Sequence, residues 1–110
     1  MECSDCHAPH GSLNEALLTE AGSQTCTECH QNIEGPWVFP HAVNEVEGCI
    51  ACHQPHGSTN AHLLPYKEIQ FTCLQCHVDL PSFHDMPAQS DCLSCHSQIH
   101  GSNIDPSFRQ

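Results

Sequence analysis

All ten cysteines of this 110-residue chain fall in one five-residue pattern, and that pattern constrains what the chain can fold around. The copies read Cys3-Ser-Asp-Cys6-His7, Cys26-Thr-Glu-Cys29-His30, Cys49-Ile-Ala-Cys52-His53, Cys73-Leu-Gln-Cys76-His77 and Cys92-Leu-Ser-Cys95-His96. C-x-x-C-H is the attachment spacing of c-type haem. Positions i, i+3 and i+4 share one side of a helical turn. One short turn therefore offers two thiols to the porphyrin vinyl groups and an imidazole to the iron. Zinc and disulfides are the competing readings, because paired C-x-x-C motifs also occur in zinc ribbons. Neither needs a histidine after every second cysteine. With His at one residue in ten, five chance placements have a probability of roughly 10⁻⁵. Haem is the reading retained.

Composition points the same way. Six aromatic residues, eight prolines and six glycines leave little for a side-chain core. Chains this short and this poor in apolar content need disulfides, metals or a cofactor to fold. Lys67 and Arg109 stand against thirteen acidic residues, for a formal charge of −11. Nucleic-acid binding is excluded, since it requires a basic face to displace counterions. The densest apolar run, Trp37-Val38-Phe39, is far too short to cross a bilayer. The acidic balance keeps a cofactor-rich protein soluble or steers it onto basic redox partners.

Six histidines lie outside the motifs: His10, His41, His56, His62, His84 and His100. Internal repeats select among them. CHAPHGSLNEALL over residues 6–18 matches CHQPHGSTNAHLL over 52–64, aligning His10 with His56 and Gly11 with Gly57. His62 aligns with Ala16 and is read as a surface residue. His41 and His84 each stand eight residues before a motif cysteine and just after Phe39 or Phe83. The closing CHSQIHG carries His100 before Gly101, like C-H-x-P-H-G with one extra residue. Five motifs and five repeat-supported histidines balance. The expectation is five irons, with proximal ligands His7, His30, His53, His77 and His96 and distal ligands His10, His41, His56, His84 and His100. Met86 is a weaker rival near His84. His10 follows His7 too closely to reach the opposite porphyrin face of the same haem. It is expected to serve a neighbouring one, as are His56 and His100, so that each iron cross-links the fold.

Motif starts at 3, 26, 49, 73 and 92 give a single pentahaem domain over 1–110, with pseudo-repeats 1–46 and 47–91 and a half-unit 92–110. Thr25-x-x-Glu28 and Thr72-x-x-Gln75 have capping-box form, and Asp91 stands where an N-cap would, so the haem turns are expected to open short helices. Ser12-x-x-Glu15 opens another, ending near Leu18. Pro36, Pro40, Pro65, Pro81 and Pro87 break the rest, and no strand pair is foreseen. The expected fold is mostly irregular, with short α-helices, little or no β structure and a haem array as core.

A compact chain of this length has a radius of gyration of about 13 Å, a sphere about 34 Å across. Five porphyrins in that volume lie close enough for fast tunnelling. Iron held by two imidazoles leaves no site for a substrate, so electron transfer is expected rather than catalysis. Low potentials follow from imidazole ligands, solvent exposure and negative charge.

The repeated C-x-x-C-H-x-P-H-G element and the closing CLSCHSQIHG resemble the periplasmic multihaem cytochromes of the decahaem electron-conduit family (MtrA and DmsE type). They are also similar to the pentahaem donors of nitrite reductase (NrfB type). The resemblance covers residues 3–101. It implies bis-His haems in an elongated wire. It also implies redox partners: an upstream quinol-linked cytochrome, and a downstream reductase or outer-membrane porin complex. Decahaem relatives carry twice as many motifs, so this chain is either one half of a longer array or a small relative. Haem c is attached after export, so a signal peptide is expected upstream, with a periplasmic or outer-surface location for the mature protein. Two other classes stay open: a multihaem reductase with one open iron, and a subunit of a self-associating extracellular filament.

Overall fold

Five copies of one backbone turn organise the chain. In each, the amide of the motif histidine donates to the carbonyl of the first cysteine, at 2.9 Å for His7, 3.0 Å for His30, His53 and His77, and 2.9 Å for His96. The second cysteine donates to the same carbonyl at 3.2–3.3 Å. This single closed turn puts both thiols and the imidazole on one side. The computed structural model describes residues 1–81, 84 and 91–110. Phe83, Met86 and Pro87 lie outside them.

Secondary structure is sparse. Among the described residues, three short helices, α1 (Gln24–Thr27), α2 (Ala42–Val46) and α3 (Ile69–Cys73), are interspersed with single 3₁₀ turns. The motifs reach their common turn by two routes. Cys3, Cys49 and Cys92 each begin a 3₁₀ turn, whereas Cys26 lies inside α1 and Cys73 ends α3. The expected capping boxes at Thr25 and Thr72 are therefore corrected: both threonines are buried within helices, whose N-caps are Ser23 and Glu68. The Thr25 hydroxyl instead donates to the Glu20 carbonyl at 2.9 Å, tying α1 to the preceding loop. Asp91 does cap its turn, accepting from the Leu93 amide at 2.8 Å. The Ser12 segment forms only a single 3₁₀ turn, Glu15–Leu17, capped by Asn14 and ending at Leu18. Ala16 and Leu17 take positive φ values of 55° and 56°, which turn the chain sharply instead.

One antiparallel pair forms, two residues to a side: β1 (Phe39–Pro40) against β2 (Gly101–Ser102), with Phe39 opposite Ser102 and Pro40 opposite Gly101. This contact, which no local sequence pattern announces, joins the middle of the chain to its last loop. Val38 donates to the Asn103 side chain at 3.0 Å, and the Asn44 side chain donates to the His100 carbonyl at 2.8 Å. The positions just outside this clasp are His41 and His100.

No apolar side chain is buried among the described residues; the buried ones are Thr25, Thr72 and Ser102. Leu13, Val46, Ile50, Val78 and Ile104 are among many apolar groups facing outward. The surface is 8409 Å², against about 6,000 Å² for a compact monomer of this mass. The molecule measures 52 × 31 × 21 Å with a radius of gyration of 15.8 Å, so the compact sphere expected from length is replaced by an elongated body. The physical reason is the missing side-chain core. A polypeptide with nothing of its own to collapse onto takes its shape from the row of motif turns.

Two glycines test this packing. Gly101 has φ +154° and a Cβ there would overlap the indole of Trp37, whereas Gly57 has φ +134° and open space around it. Gly101→Ala is expected to cost about 2–4 kcal/mol by overpacking and strain. Gly57→Ala should cost about 1 kcal/mol from backbone strain alone. Thermal unfolding of the two variants, followed side by side, checks the order.

Candidate haem sites

The thiols of successive motifs meet. Cys26 is in hydrogen-bonding contact with Cys49 and senses Cys6, while Cys73 contacts Cys92 and senses Cys52. Cys52 also lies near Cys76. Thiol contact thus joins the second motif to the third and the fourth to the fifth, and electrostatic proximity links the first to the second and the third to the fourth. Burial, reinforced by the neighbouring thiol, raises Cys26 and pushes Cys73 up to about 11, keeping both as neutral thiols at pH 7. All ten cysteines are free thiols, so no disulfide framework forms. Among the described residues, no three His, Cys, Asp or Glu side chains converge as a tetrahedral zinc site would require.

The imidazoles are arranged differently. Four motif histidines each face one histidine from elsewhere in the chain. His7 faces His56 with ring centroids 5.9 Å apart and planes inclined by 21°. His41 and His77 are 6.1 Å apart at 21°, His53 and His100 6.3 Å at 15°, and His84 and His96 6.0 Å at 16°. Ring pairs in direct contact have centroids about 4.5–7 Å apart, so the spacing takes its meaning from the C-x-x-C turn beside each pair. Two imidazoles on opposite sides of one metal ion, each bonded at about 2.0–2.1 Å, place their centroids about 6 Å apart. The four pairs would suit two imidazole ligands to one iron, and each lies beside a C-x-x-C turn carrying the thiols that a c-type haem would require.

The remaining ring nitrogen of the odd-numbered motifs is held by a backbone carbonyl. His7 Nδ1 pairs with the Ala16 carbonyl at 2.8 Å, His53 Nδ1 with the His62 carbonyl at 2.7 Å and His96 Nδ1 with the Ser107 carbonyl at 2.5 Å. With Nδ1 donating, Nε2 is left as the free lone pair, and the ring cannot swivel. These carbonyls come from three copies of one loop. The amides of Ala8, Gln54 and Gln98 donate to Leu17, Leu63 and Phe108, and the amides of Gly11, Gly57 and Gly101 return to the carbonyls of Ala8, Gln54 and Gln98. All three glycines have φ between +133° and +154°, a region closed to other residues. Ser12 and Asn14 fasten the first loop to the Leu18 carbonyl, and Ser58 and Asn60 fasten the second to Leu64. In the third, Asp105 accepts from the Ser107 amide at 2.6 Å. That bond, with Arg109 beside it, holds the Asp105 carboxyl below its ordinary value.

The distal candidates are thus positioned by repetition. His56 and His100 each follow an odd motif and face the odd motif before it. His41 precedes the third motif yet faces His77 of the fourth, while His84 faces the motif directly after it. Their common offset from a motif cysteine therefore does not make His41 and His84 equivalent. Burial lowers the pKa of His41 and of His100, favouring the neutral, lone-pair-bearing imidazole. A backbone hydrogen bond at Ile99 opposes the shift at His41. His10 and His30 are exposed, and neither has a ring partner among the described residues. His62 acts through its carbonyl, as Ala16 does in the first loop. Sequence reasoning missed these carbonyls. The signal available was the G-S-x-N-x-x-L-L tail repeated after His10 and His56, of which the third loop keeps only Gly101-Ser102.

The family model described as "Doubled CXXCH motif" matches residues 1–35 and 41–81. A curated relative, the "Multiheme cytochrome MtrA" of Shewanella baltica, is 38% identical over 122 aligned residues covering 94% of this chain. The chain spans 35% of that relative's length.

Proposed function

Because the chain belongs to the doubled-CXXCH family of multihaem c-type cytochromes, we propose that it carries electrons along five covalently bound haems, one at each motif. The observation that carries this reading is the set of four imidazole pairs about 6 Å apart. Each motif supplies two cysteines for attachment: Cys3 and Cys6, Cys26 and Cys29, Cys49 and Cys52, Cys73 and Cys76, Cys92 and Cys95. His7, His30, His53, His77 and His96 are the proximal ligands. His56, His100, His41 and His84 are the distal ligands facing His7, His53, His77 and His96. His10 is a distal ligand as well. When bound, the haem supplies a reversible one-electron couple at iron.

The chain's own residues do the rest. Thioether links keep each group in place where little protein covers it. Backbone carbonyls aim the proximal Nε2, and a second neutral imidazole closes the opposite side. Iron closed on both sides has no position for a substrate, which supports a carrier rather than an enzyme. The proximity of thiols in successive motifs and the 52 Å long axis support a route running in motif order. We read residues 1–110 as one pentahaem unit. Its partners in this reading are redox proteins: a quinol-linked cytochrome as donor, and a reductase or an outer-membrane porin complex as acceptor. The charge of −11 favours brief, salt-sensitive docking on basic surfaces. No helix among the described residues is long and apolar enough to cross a membrane. Thioether attachment follows export, so the working location is periplasmic or at the outer surface.

The experiment is an absolute haem count by pyridine haemochrome together with intact mass on protein matured by an exporting host. Five equal mass increments and a red, low-potential protein are expected. Protein that carries zinc, or no covalent porphyrin, would overturn the reading.

A further inference from the structure

The loop after the fifth motif meets three different imidazole pairs. The Ser107 carbonyl holds Nδ1 of His96 at 2.5 Å. His100 faces His53 at 6.3 Å, and its own carbonyl accepts from the Asn44 side chain at 2.8 Å. The Phe108 ring leans on His41, with centroids 5.2 Å apart and planes inclined by 52°. His41 is also hydrogen-bonded to the Ile99 backbone, and it faces His77 at 6.1 Å. One stretch of chain, 99–108, therefore reaches an imidazole of the pairs at the third, fourth and fifth motifs.

A single turn around Asp105 sets all three contacts. The Asp105 amide donates to the Ser102 hydroxyl at 3.1 Å, and its carbonyl accepts from the Phe108 amide at 3.0 Å. Its carboxylate accepts from the Ser107 amide at 2.6 Å and pairs with Arg109 Nε at 3.3 Å. Ser102 is buried and fixed opposite Phe39 in the strand clasp. Phe108 itself has φ +60°, a conformation that a bulky side chain rarely takes. Such backbone persists only where its surroundings over-determine it. The Asp105 bonds do so on one side, and the bond from the Gln98 amide to the Phe108 carbonyl, at 2.9 Å, on the other.

We propose that Phe108 is a positioning residue for the iron at the fourth motif, and that the Asp105 turn ties the ligand geometry of that iron to those at the third and fifth. An imidazole can spin about its bond to iron unless its neighbours fix the ring plane. Phe108 and the Ile99 backbone fix that of His41, keeping it within 21° of the His77 plane. The Ser107 carbonyl, accepting from His96 Nδ1, makes that ring a more basic ligand and favours ferric iron. Three irons are thus tuned as a group by residues that ligate none of them. This inference rests on the haem reading above and adds what adjusts its ligands.

The test uses the holoprotein, with five haems first verified by count, so that a failed count indicts the haem reading and not the loop. Ligand variants identify the signals by the iron each turns high-spin: His100→Ala the third, His41→Ala the fourth, His84→Ala the fifth. Phe108→Leu keeps an apolar side chain without a ring face. Leucine suits the backbone, since Leu17 and Leu63 hold the same positive-φ place in the other two loops. In electron paramagnetic resonance, Phe108→Leu should raise the largest g value of the fourth iron as the imidazole planes splay, and leave the other signals in place. Asp105→Ala, compared at equal haem count, should shift the third, fourth and fifth signals together and raise the potential of the fifth iron. Asp105→Asn keeps an oxygen for the Ser107 amide and should restore most of the shift. Unchanged g values in Phe108→Leu overturn the positioning role. The link between the three irons is overturned if Asp105→Ala lowers the melting temperature with every g value and potential unmoved, or if its shift spreads over all five irons.

Discussion

Made without haem attachment, for example by cytoplasmic expression, the chain is expected to remain unfolded. A folded domain must offset a conformational entropy cost of about 1–2 kcal/mol per residue, chiefly by burying apolar surface. Here no apolar side chain is buried among the described residues, and leucines, isoleucines and valines face outward. The helices are four or five residues long, far below the length at which a helix persists alone. The two-residue strand pair is shorter than any independently stable hairpin. Nothing remains to hold the apo chain together. Small-angle scattering should give a radius of gyration near that of an unfolded chain, about 34 Å, against 15.8 Å for the folded form. Far-ultraviolet circular dichroism should show a coil. A compact apo protein with dispersed amide resonances would show that side chains alone build the core.

The second large effect concerns the imidazole pairs. His56→Ala should turn the iron at His7 high-spin and His100→Ala the iron at His53, one iron per chain in each case. The gap facing each proximal ring is about 6 Å across, and alanine cannot reach it. Losing a strong axial ligand also raises the potential of that one iron while the others stay put. His62→Ala is the control. Among the described residues its ring faces no motif histidine, and the carbonyl that holds His53 survives the change. Spin counting on the three variants checks the assignment. Unchanged low-spin spectra in His56→Ala and His100→Ala would sink it, as would a new high-spin iron in His62→Ala.

Haem attachment was readable from sequence because the chemistry is local. Thioether formation and proximal ligation need three side chains within five residues, and one closed turn supplies them in every copy. The repeat likewise aligned His10 with His56, and more loosely His100, in similar loops, each with a glycine at positive φ. Thr25 and Thr72 were misread for a related reason. The capping-box pattern describes a helix start, but tertiary burial drew both threonines inside helices that begin earlier. The pairing of His41 with His77 was not legible, because 36 residues and an intervening motif separate them. No local pattern encodes which distant turn an imidazole will meet.

The sequence by itself determined the c-type haem chemistry, the five C-x-x-C-H turns, the poverty of the side-chain core and the loops that carry the repeat histidines, since each depends on residues a few positions apart. The tertiary structure alone decided which imidazole faces which motif, that the body is elongated, and that His10 and His30 are left facing outward. Those outcomes depend on how far the chain travels between turns and on the clasp of Phe39–Pro40 with Gly101–Ser102. Distances between remote segments are set by packing, which a linear pattern does not carry.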